Sequence, residues 1–417
     1  MSAAPSGRAA APGGCRAGAR TSLGELAALF LRLGATAFGG PAAHVAMMED
    51  EVVRRRAWLD REQFVDYLGA TNLIPGPNST ELAIHIGHAR AGWPGLVVAG
   101  TAFILPAALI VGALAWAYVR YGALPETAGL LYGIKPVVIA VVLQALWSLG
   151  RSAVKSPSLA LVGAVAAAAV TLGAHELLVL AGAAAAMTVG RGLRAAGPGR
   201  GASALATLSA AAAEPARPTP PVAPSAALAA GAFAAATSAA PFGLPALFAV
   251  FVKIGAVLFG SGYVLLAFLR ADLVERLGWL TERQLLDAVA VGQVTPGPVF
   301  TTATFVGYLL GGPAGAAVAT LGIFLPAFVF VALSGPLVPR LRRSPTAGAA
   351  LDGVNVASLA LMAVVAAQLA RTALVDPLTD ALAAASALLL VRFRVNSAWL
   401  VLGGAAIGLS VAVGRGG

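Results

Sequence analysis

Three side chains capable of acid–base or metal chemistry lie close together in an apolar stretch of the sequence. Glu81 is followed by His85 four residues later and by His88 seven residues later. This spacing places all three on one face of a helix. An acid inside an apolar span is costly and usually functional. Three interpretations stay open: a carboxylate that relays protons or contacts substrate, an acid stabilised by a helix start, and a Zn²⁺ site.

The turn Pro-Gly-Pro occurs twice, at residues 75–77 and 296–298. Proline removes a backbone donor and disfavours helix in the residue before it, so a helix must restart after each turn. Free N–H groups and the positive dipole end of a helix start attract anions. A pair of kinks used only for packing is the alternative. The expected anion-binding residues are Pro75, Gly76, Pro77, Asn78, Ser79, Thr80, Thr295, Pro296, Gly297, Pro298 and Thr301.

Small residues break the opening helix that precedes each of these turns. They allow close backbone packing, and they also open a helix for a substrate. His44 lies one turn beyond the first break, where Leu265 is its counterpart, and it is either an interhelical hydrogen-bonding group or part of proton coupling. The expected helix-break and substrate-path residues are Phe38, Gly39, Gly40, Pro41, Gly260, Ser261 and Gly262.

These motifs recur because the chain is an internal duplication. Phe38 and Phe259, Trp58 and Trp279, and the two Pro-Gly-Pro turns are each 221 residues apart. The expected organisation is an N-terminal tail (1–22), a first domain (23–190), an Ala/Pro/Gly-rich linker (191–240) and a second domain (241–414). The tail shows no apolar segment typical of a cleaved signal peptide.

Composition indicates an all-α, polytopic integral membrane protein. Hydrophobic residues make up 59% of the chain and charged residues 11%, which is too apolar a balance for a water-facing surface. We expect about ten transmembrane helices plus re-entrant Pro-Gly-Pro segments. The formal charge of +10 comes from Lys and Arg scattered among loops, so no nucleic-acid partner is expected.

Loop charges favour an inverted repeat. Residues 54–56 and Arg61 give the first copy four arginines where the second copy has only Arg276 and Arg283, and the bias reverses in later loops, so equivalent loops face opposite sides. An opening helix near residues 24–50 would then place the N-terminal tail outside. Elsewhere, Lys135 is expected to snorkel, and the matched pairs Gln63/Gln284, Asp66/Asp287 and Glu51/Asp272 are expected to be caps and loop contacts.

The paired motifs resemble those of the chromate ion transporter family. The stretches FGGPAAHVAMMEDEVV and NLIPGPNSTELAIHIGHARAGWPGL are similar to its N-terminal signature, and FVKIGAVLFGSGYVLLAFLRADLV and VGQVTPGPVFTTATFVGYLL to its C-terminal one. The resemblance spans nearly the whole chain except the tail and linker. It implies an inner-membrane protein of the long two-domain form that exports chromate and gives resistance, with sulfate as a related dianion.

The resulting hypothesis is a secondary transporter that moves chromate out of the cell as one half rocks against the other. No nucleotide-binding loop is found in the sequence, so ATP is not expected to be the direct energy source. We also expect no enzyme activity and no cofactor. The substrate would be chromate or sulfate, membrane lipid would surround the protein, and a homodimer is left open. The alternatives are a transporter of sulfate or another oxyanion, and a membrane enzyme that uses Glu81, His85 and His88 with a metal.

Overall fold

The computed structural model describes residues 21–38, 40–122, 125–196, 242–259, 262, 264–393 and 395–416. These residues form helices and connecting turns, with no β-strand among them. The tail to residue 20, the linker from residue 197 to 240, and Gly39, Gly260 and Ser261 lie outside the described residues. The expectations for them remain predictions.

The second half repeats the helix order of the first. The first half contains α1 (Leu23–Thr36), α2 (Gly40–Glu49, continued as a π-helix over Asp50–Arg55), α3 (Arg61–Thr71), α4 (Asn78–Tyr121), α5 (Pro125–Ala153), α6 (Pro157–Thr171) and α7 (Glu176–Ala196). The second contains α8 (Leu244–Val257), α9 (Leu265–Leu269, continued as a π-helix over Arg270–Arg276), α10 (Glu282–Val294), α11 (Thr302–Arg343, after a 3₁₀ turn at Val299–Thr301), α12 (Pro345–Ala373), α13 (Pro377–Arg392) and α14 (Ser397–Gly416).

Six of the described helices are long and apolar enough to cross a membrane: α4, α5, α7, α11, α12 and α14. Helices α6 and α8 are shorter apolar helices. Large apolar side chains such as Trp147, Leu161 and Leu321 are exposed, as expected where a surface contacts lipid rather than water. The predicted all-α polytopic membrane fold is confirmed.

Helices α4 and α11 each fold back on themselves at a glycine. Gly92 has φ +64° and Gly312 has φ +61°, a region of backbone space that favours glycine. The chain reverses at Gly92, because Gly87 before it and Gly95 after it pack backbone to backbone. A side chain at either glycine would collide with the backbone of the other. After each Pro-Gly-Pro turn, a short helical arm therefore runs to one face of the protein. At the glycine the chain reverses, and a long helical arm runs from that same face back across the protein. This geometry is the predicted re-entrant arrangement.

The prediction of one opening helix near residues 24–50 is wrong, because α1 and α2 form an antiparallel hairpin. Arg32 Nη2 lies 2.7 Å from Glu51 Oε1, and Arg56 Nη1 lies 3.0 Å from Glu25 Oε1. The Arg56–Glu25 pair joins the start of α1 to the end of the second helix, and Arg32, later in α1, pairs with Glu51, earlier in the second helix. The glycine-rich break thus reverses the chain instead of bending a single span.

This hairpin changes the placement of the N-terminus. The Thr21 amide donates to the Arg90 carbonyl, and Arg90 donates in turn to the Trp58 carbonyl, next to the loop that carries Arg54–Arg56. We call this surface the arginine-rich face. The first described residues lie on that face, whereas the single-helix prediction placed them on the opposite one. The tail itself is outside the described residues.

The long arms of α4 and α11 run antiparallel to each other. Gly100 packs against the Phe328 ring, and further along α4 Gly112 contacts Thr304. The Thr304 hydroxyl lies 2.7 Å from that of Thr320 on the long arm of α11. Residue numbers thus rise along one arm while they fall along the other. Antiparallel pairing of equivalent helices is what an inverted repeat predicts.

The two halves exchange helices beyond these arms. Helix α5 packs against α13 and α14 of the second half, while α12 packs against α6 and α7 of the first. Close backbone approaches at Gly133 with Gly404, and at Gly353 with Ala183, bring these helices together. Small residues at such crossings are typical of helix packing in membranes. These later helices therefore pack across the two halves, whereas α1 to α4 of the first half form a core cluster of their own.

Candidate functional site

The two Pro-Gly-Pro turns are held by the opening helix of the opposite half. The Gly76 amide donates to the Leu258 carbonyl at 2.8 Å, and the Gly297 amide donates to the Ala37 carbonyl at 2.9 Å. Because both pairs obey the 221-residue offset, the contact is a reciprocal one around an approximate two-fold axis. Four helix ends meet here: the carboxyl ends of α1 and α8, and the amino ends of α4 and of the segment leading into α11.

Many of the donors predicted for an anion are already engaged. The glycine amides bind carbonyls, the Thr301 hydroxyl donates to the Pro298 carbonyl at 2.8 Å, and the Thr295 hydroxyl donates to Val291 at 3.1 Å. The Thr80 hydroxyl is different, because it is fully buried and has no hydrogen-bond partner.

Asn78 and Ser79 begin α4 directly after the first turn. The Asn78 side-chain amide donates to the Asn72 side-chain oxygen at 2.8 Å. The backbone amides of Asn78 and Ser79 find no carbonyl partner among the described residues. They therefore supply the free N–H groups and the positive dipole end expected at a helix start.

His44 connects this helix start to the opposite turn. Its Nε2 lies 3.1 Å from the Ala37 carbonyl and its Nδ1 lies 3.2 Å from the Ser79 hydroxyl. Because a carbonyl only accepts, Nε2 donates, and in the neutral ring Nδ1 accepts from Ser79. Ala37 also accepts from Gly297, so one chain of hydrogen bonds joins the two turns. His44 is thus an interhelical hydrogen-bonding residue, one of the two roles predicted for it.

Glu81 is fully buried against the first turn, and neither carboxylate oxygen has a hydrogen-bond partner. Its Oε1 lies against Gly76, where any side chain would collide with it, and Gly76 has φ +139°. Glycine is required there on both counts. Thr302, the counterpart of Glu81, instead donates to the Val299 carbonyl at 2.8 Å. The acid is a feature of the first half.

The histidines that follow Glu81 diverge from it in environment. His85 is buried and stacks on Tyr67, with ring centroids 5.5 Å apart, and its Nε2 has no partner. His88 is exposed and packs edge-on against Trp93. Among the described residues, no group of three His, Cys, Asp or Glu side chains converges on a metal position. The geometry offers no support for the Zn²⁺ interpretation.

The helix-break motifs border the same region. Gly40 starts α2 with φ +78°, and Phe38 before it is exposed. In the second copy Gly262 packs against Val299 in the turn that follows the second Pro-Gly-Pro. Pro41 is part of the first turn of α2. These residues lie where the chain reverses between the opening helix of each half and the helix that follows it.

A cavity of about 350 Å³ leads toward the first Pro-Gly-Pro turn. Ile74 and Asn78, which flank that turn, line it, and Lys155 and Asp352 lie at its exposed end. Helix α4 crosses away from the arginine-rich face after Gly92 and α5 crosses back, so Lys155 after α5 lies on the arginine-rich face. The cavity therefore opens there.

On the side of the protein opposite the arginine-rich face, an ion pair lies at the position that corresponds to this cavity. Lys135 Nζ lies 2.8 Å from Asp287 Oδ1, and the Tyr118 hydroxyl donates to Asp287 Oδ2 at 2.8 Å. The snorkelling predicted for Lys135 is wrong, and so is a capping role for Asp287. Sequence reasoning missed the pair because its members lie in different halves. The signal was available: two opposite charges, each isolated in an apolar stretch.

A tyrosine–aspartate contact also joins the halves near that face. The Tyr132 hydroxyl donates to Asp376, which N-caps α13. This hydrogen bond, followed by the amide of Thr379, lowers the pKa of the Asp376 carboxyl. Because the hydrogen bond favours the ionised carboxylate, Asp376 joins α5 to α13 in its charged form.

The other matched polar pairs divide between two roles. Gln63 and Gln284 complete capping boxes at the starts of α3 and α10, as predicted. Glu51 and Asp272 instead centre matched ion-pair clusters. The members are Arg32, Glu51 and Arg55 in the first half, and Lys253, Asp272 and Arg276 in the second. The second cluster is the more buried of the two.

Inverted repeats, re-entrant half-helices and helix ends that cross between the halves are together the architecture of a membrane transport protein. The chain belongs to the chromate transporter family, whose model matches residues 24–189 and 245–409. No solved structure matches it.

Curated relatives agree with this assignment. A chromate transport protein of Cupriavidus metallidurans is 32% identical over 93% of this chain and 92% of its own length. A probable chromate transport protein of Synechococcus elongatus is 33% identical over 85% of this chain and 86% of its own. A chromate transport protein of Pseudomonas aeruginosa is 31% identical over 83% of this chain and 81% of its own.

Proposed function

We propose that the protein is a secondary active transporter that exports chromate across the cytoplasmic membrane and thereby gives chromate resistance. The family and the named relatives support chromate as the substrate class. The observation that carries the mechanism is the reciprocal pairing of Gly76 with Leu258 and of Gly297 with Ala37. It brings two helix starts together inside the membrane, where transporters bind ions.

Chromate would bind at the start of α4. The positive end of the helix dipole and the amides of Asn78 and Ser79 attract a dianion, and the Thr80 hydroxyl lacks any other partner. No lysine or arginine is required in such a site. A site of neutral donors also releases an anion more readily than one with a fixed cation, because the Coulomb attraction is weaker.

Glu81 would couple transport to protons. It lies beside the same turn, fully buried and without a partner, which is the environment in which an intramembrane acid usually has a function. Proton movement or exchange with another anion supplies the energy, since the sequence contains no nucleotide-binding loop.

The arginine-rich face would be cytoplasmic. Arg54–Arg56 and Lys155 lie on it, and positively charged loops favour the cytoplasmic side. The cavity next to the first turn would then open toward the cytoplasm, as an exporter requires for loading. A homodimer remains a prediction without further support.

Uptake of chromate into inverted membrane vesicles, with and without an imposed pH gradient, tests this function. Export predicts uptake that depends on the protein and on the gradient or a counter-anion. Vesicles without the protein, and vesicles with a disrupted turn such as Gly76→Val, serve as controls. No protein-dependent chromate uptake under any gradient would refute the proposal. Sulfate uptake that chromate only inhibits would identify a sulfate transporter instead.

A further inference from the structure

The cavity that opens on the arginine-rich face has a polar stripe on one wall. Asp352, Asn355 and Ser358 recur at three-residue spacing on α12, so they share one face of the helix. Asp352 lies at the mouth, 3.5 Å from Lys155. Ser358 is fully buried and lies at the inner end. The stripe thus leads from the surface into the membrane interior.

Ser358 has a hydroxyl without a hydrogen-bond partner. A serine inside a helix commonly donates back to a carbonyl one turn earlier, as Ser334 does to Val331 at 2.8 Å. Ser358 does not, although it is in a regular helix and fully buried. A buried hydroxyl without a partner is unfavourable, so its persistence beside a cavity points to a ligand that completes it. The Asn355 side chain, one turn away, is likewise without a partner among the described residues.

The opposite wall supplies further neutral donors. Asn72 and Asn78 line the cavity across from α12 and hydrogen-bond to each other. The cavity of about 350 Å³ is roughly ten times the ~30 Å³ share of one water molecule. It accommodates a tetrahedral oxyanion together with some of its hydration water.

This stripe is absent from the other repeat. The counterparts of Asn355 and Ser358, 220 residues earlier, are Lys135 and Val138. Lys135 is engaged by Asp287, and Val138 carries no donor. The two repeats therefore present different side-chain chemistry at these matched positions.

We propose that Ser358 and Asn355, facing Asn78 across the cavity, form an entry subsite for a tetrahedral oxyanion dianion. The subsite rests on the proposed export function, for which it is the loading position. It holds the anion by hydrogen bonds before the anion reaches the start of α4. The Ser358 hydroxyl and the Asn355 amide donate to its oxygens.

Chromate uptake kinetics in inverted vesicles test the subsite. Ser358→Ala and Asn355→Leu should each raise the chromate KM at least fivefold, because each removes a hydrogen bond to a charged ligand. Maximal uptake should change less than twofold. Ser334→Ala is the matched control, since it removes a buried serine hydroxyl outside the cavity, and its KM should equal that of the wild type. Unchanged KM in both cavity variants would overturn the proposal.

A labelling experiment separates the subsite from the transport function. Cys15 is the single cysteine in the sequence, so Ser358→Cys in a Cys15→Ala background presents one thiol inside the membrane domain. A charged methanethiosulfonate should label it in inverted vesicles, and molybdate, a dianion that does not oxidise thiols, should slow labelling at least threefold. Absence of protection would refute the subsite even if chromate is transported. Protection without chromate transport would retain the subsite and refute the export function.

Discussion

The Lys135–Asp287 ion pair should dominate the stability of the contact between α5 and α10. At 2.8 Å and an effective dielectric constant of about 20, the Coulomb attraction is about 6 kcal/mol before desolvation. Asp287 is 1% exposed and the Lys135 side chain 12%. Removal of one partner leaves a buried charge uncompensated, at a cost of about 3–5 kcal/mol.

Replacement of both residues should cost much less than replacement of either. Lys135→Met and Asp287→Leu should each lower the Tm of the detergent-purified protein by roughly 6–20 °C, given about 2–4 °C per kcal/mol for proteins of moderate size. The double variant should lie within about 3 °C of the wild type, since a buried pair replaced by apolar residues is often nearly neutral. Differential scanning fluorimetry measures all three.

Asp66→Asn provides the matched control for this series. Asp66 is the counterpart of Asp287 in the first half, but it is exposed, so its Tm should change by about 1 °C or less. If the Tm of the double variant falls by as much as the falls of the two single variants added together, the two charges do not stabilise each other and the reasoning is refuted. The geometry at 2.8 Å would then carry no coupling energy.

Three further substitutions test the central turns. Gly76→Ala should abolish chromate uptake and lower Tm, because a methyl group would collide with Glu81 and occupy an unfavourable φ, whereas Gly24→Ala, on open space, should be silent in both assays. Glu81→Gln should remove the pH dependence of uptake measured between pH 6 and 8; an unchanged pH profile would exclude proton coupling by this acid. His44→Phe should lower Tm by several degrees, as two hydrogen bonds, one to Ser79, are lost at about 1 kcal/mol each; an unaltered Tm would contradict the connecting role.

The Pro-Gly-Pro helix breaks and the opposite orientation of the two repeats could be predicted from the sequence, because both depend on residues that are near one another in the chain. Pro75-Gly76-Pro77 must interrupt a helix whatever surrounds it, and the alternation of loop charge indicates opposite orientation before any contact is known. The re-entrant form of both segments followed from these two facts. Asn78 and Ser79 were predicted at a helix start for the same local reason.

The long-range contacts could not be predicted in this way. Lys135 and Asp287 are 152 residues apart. Each isolated charge indicates that a partner is needed, but nothing in the sequence pairs one with the other. The reversal between α1 and α2 was missed because apolar residues continue on both sides of the break. A glycine-rich interruption fits a kink and a hairpin equally well until the Arg56–Glu25 pair fixes the direction.

The exchange of helices restricts how the protein can move. If one sequence half rocked rigidly against the other, α5 would have to leave α13 and α14, and α12 would have to leave α6 and α7. The close backbone approach at Gly133 and Gly404 makes that separation costly, because it would break the van der Waals contacts between closely packed helices. Each Pro-Gly-Pro turn is joined to the opposite half by one backbone hydrogen bond, from the amide of its glycine, and by apolar packing such as that of Ile74 with Ala327. We therefore expect the re-entrant hairpins to move in a transport cycle and the interlocked helices around them to form the frame.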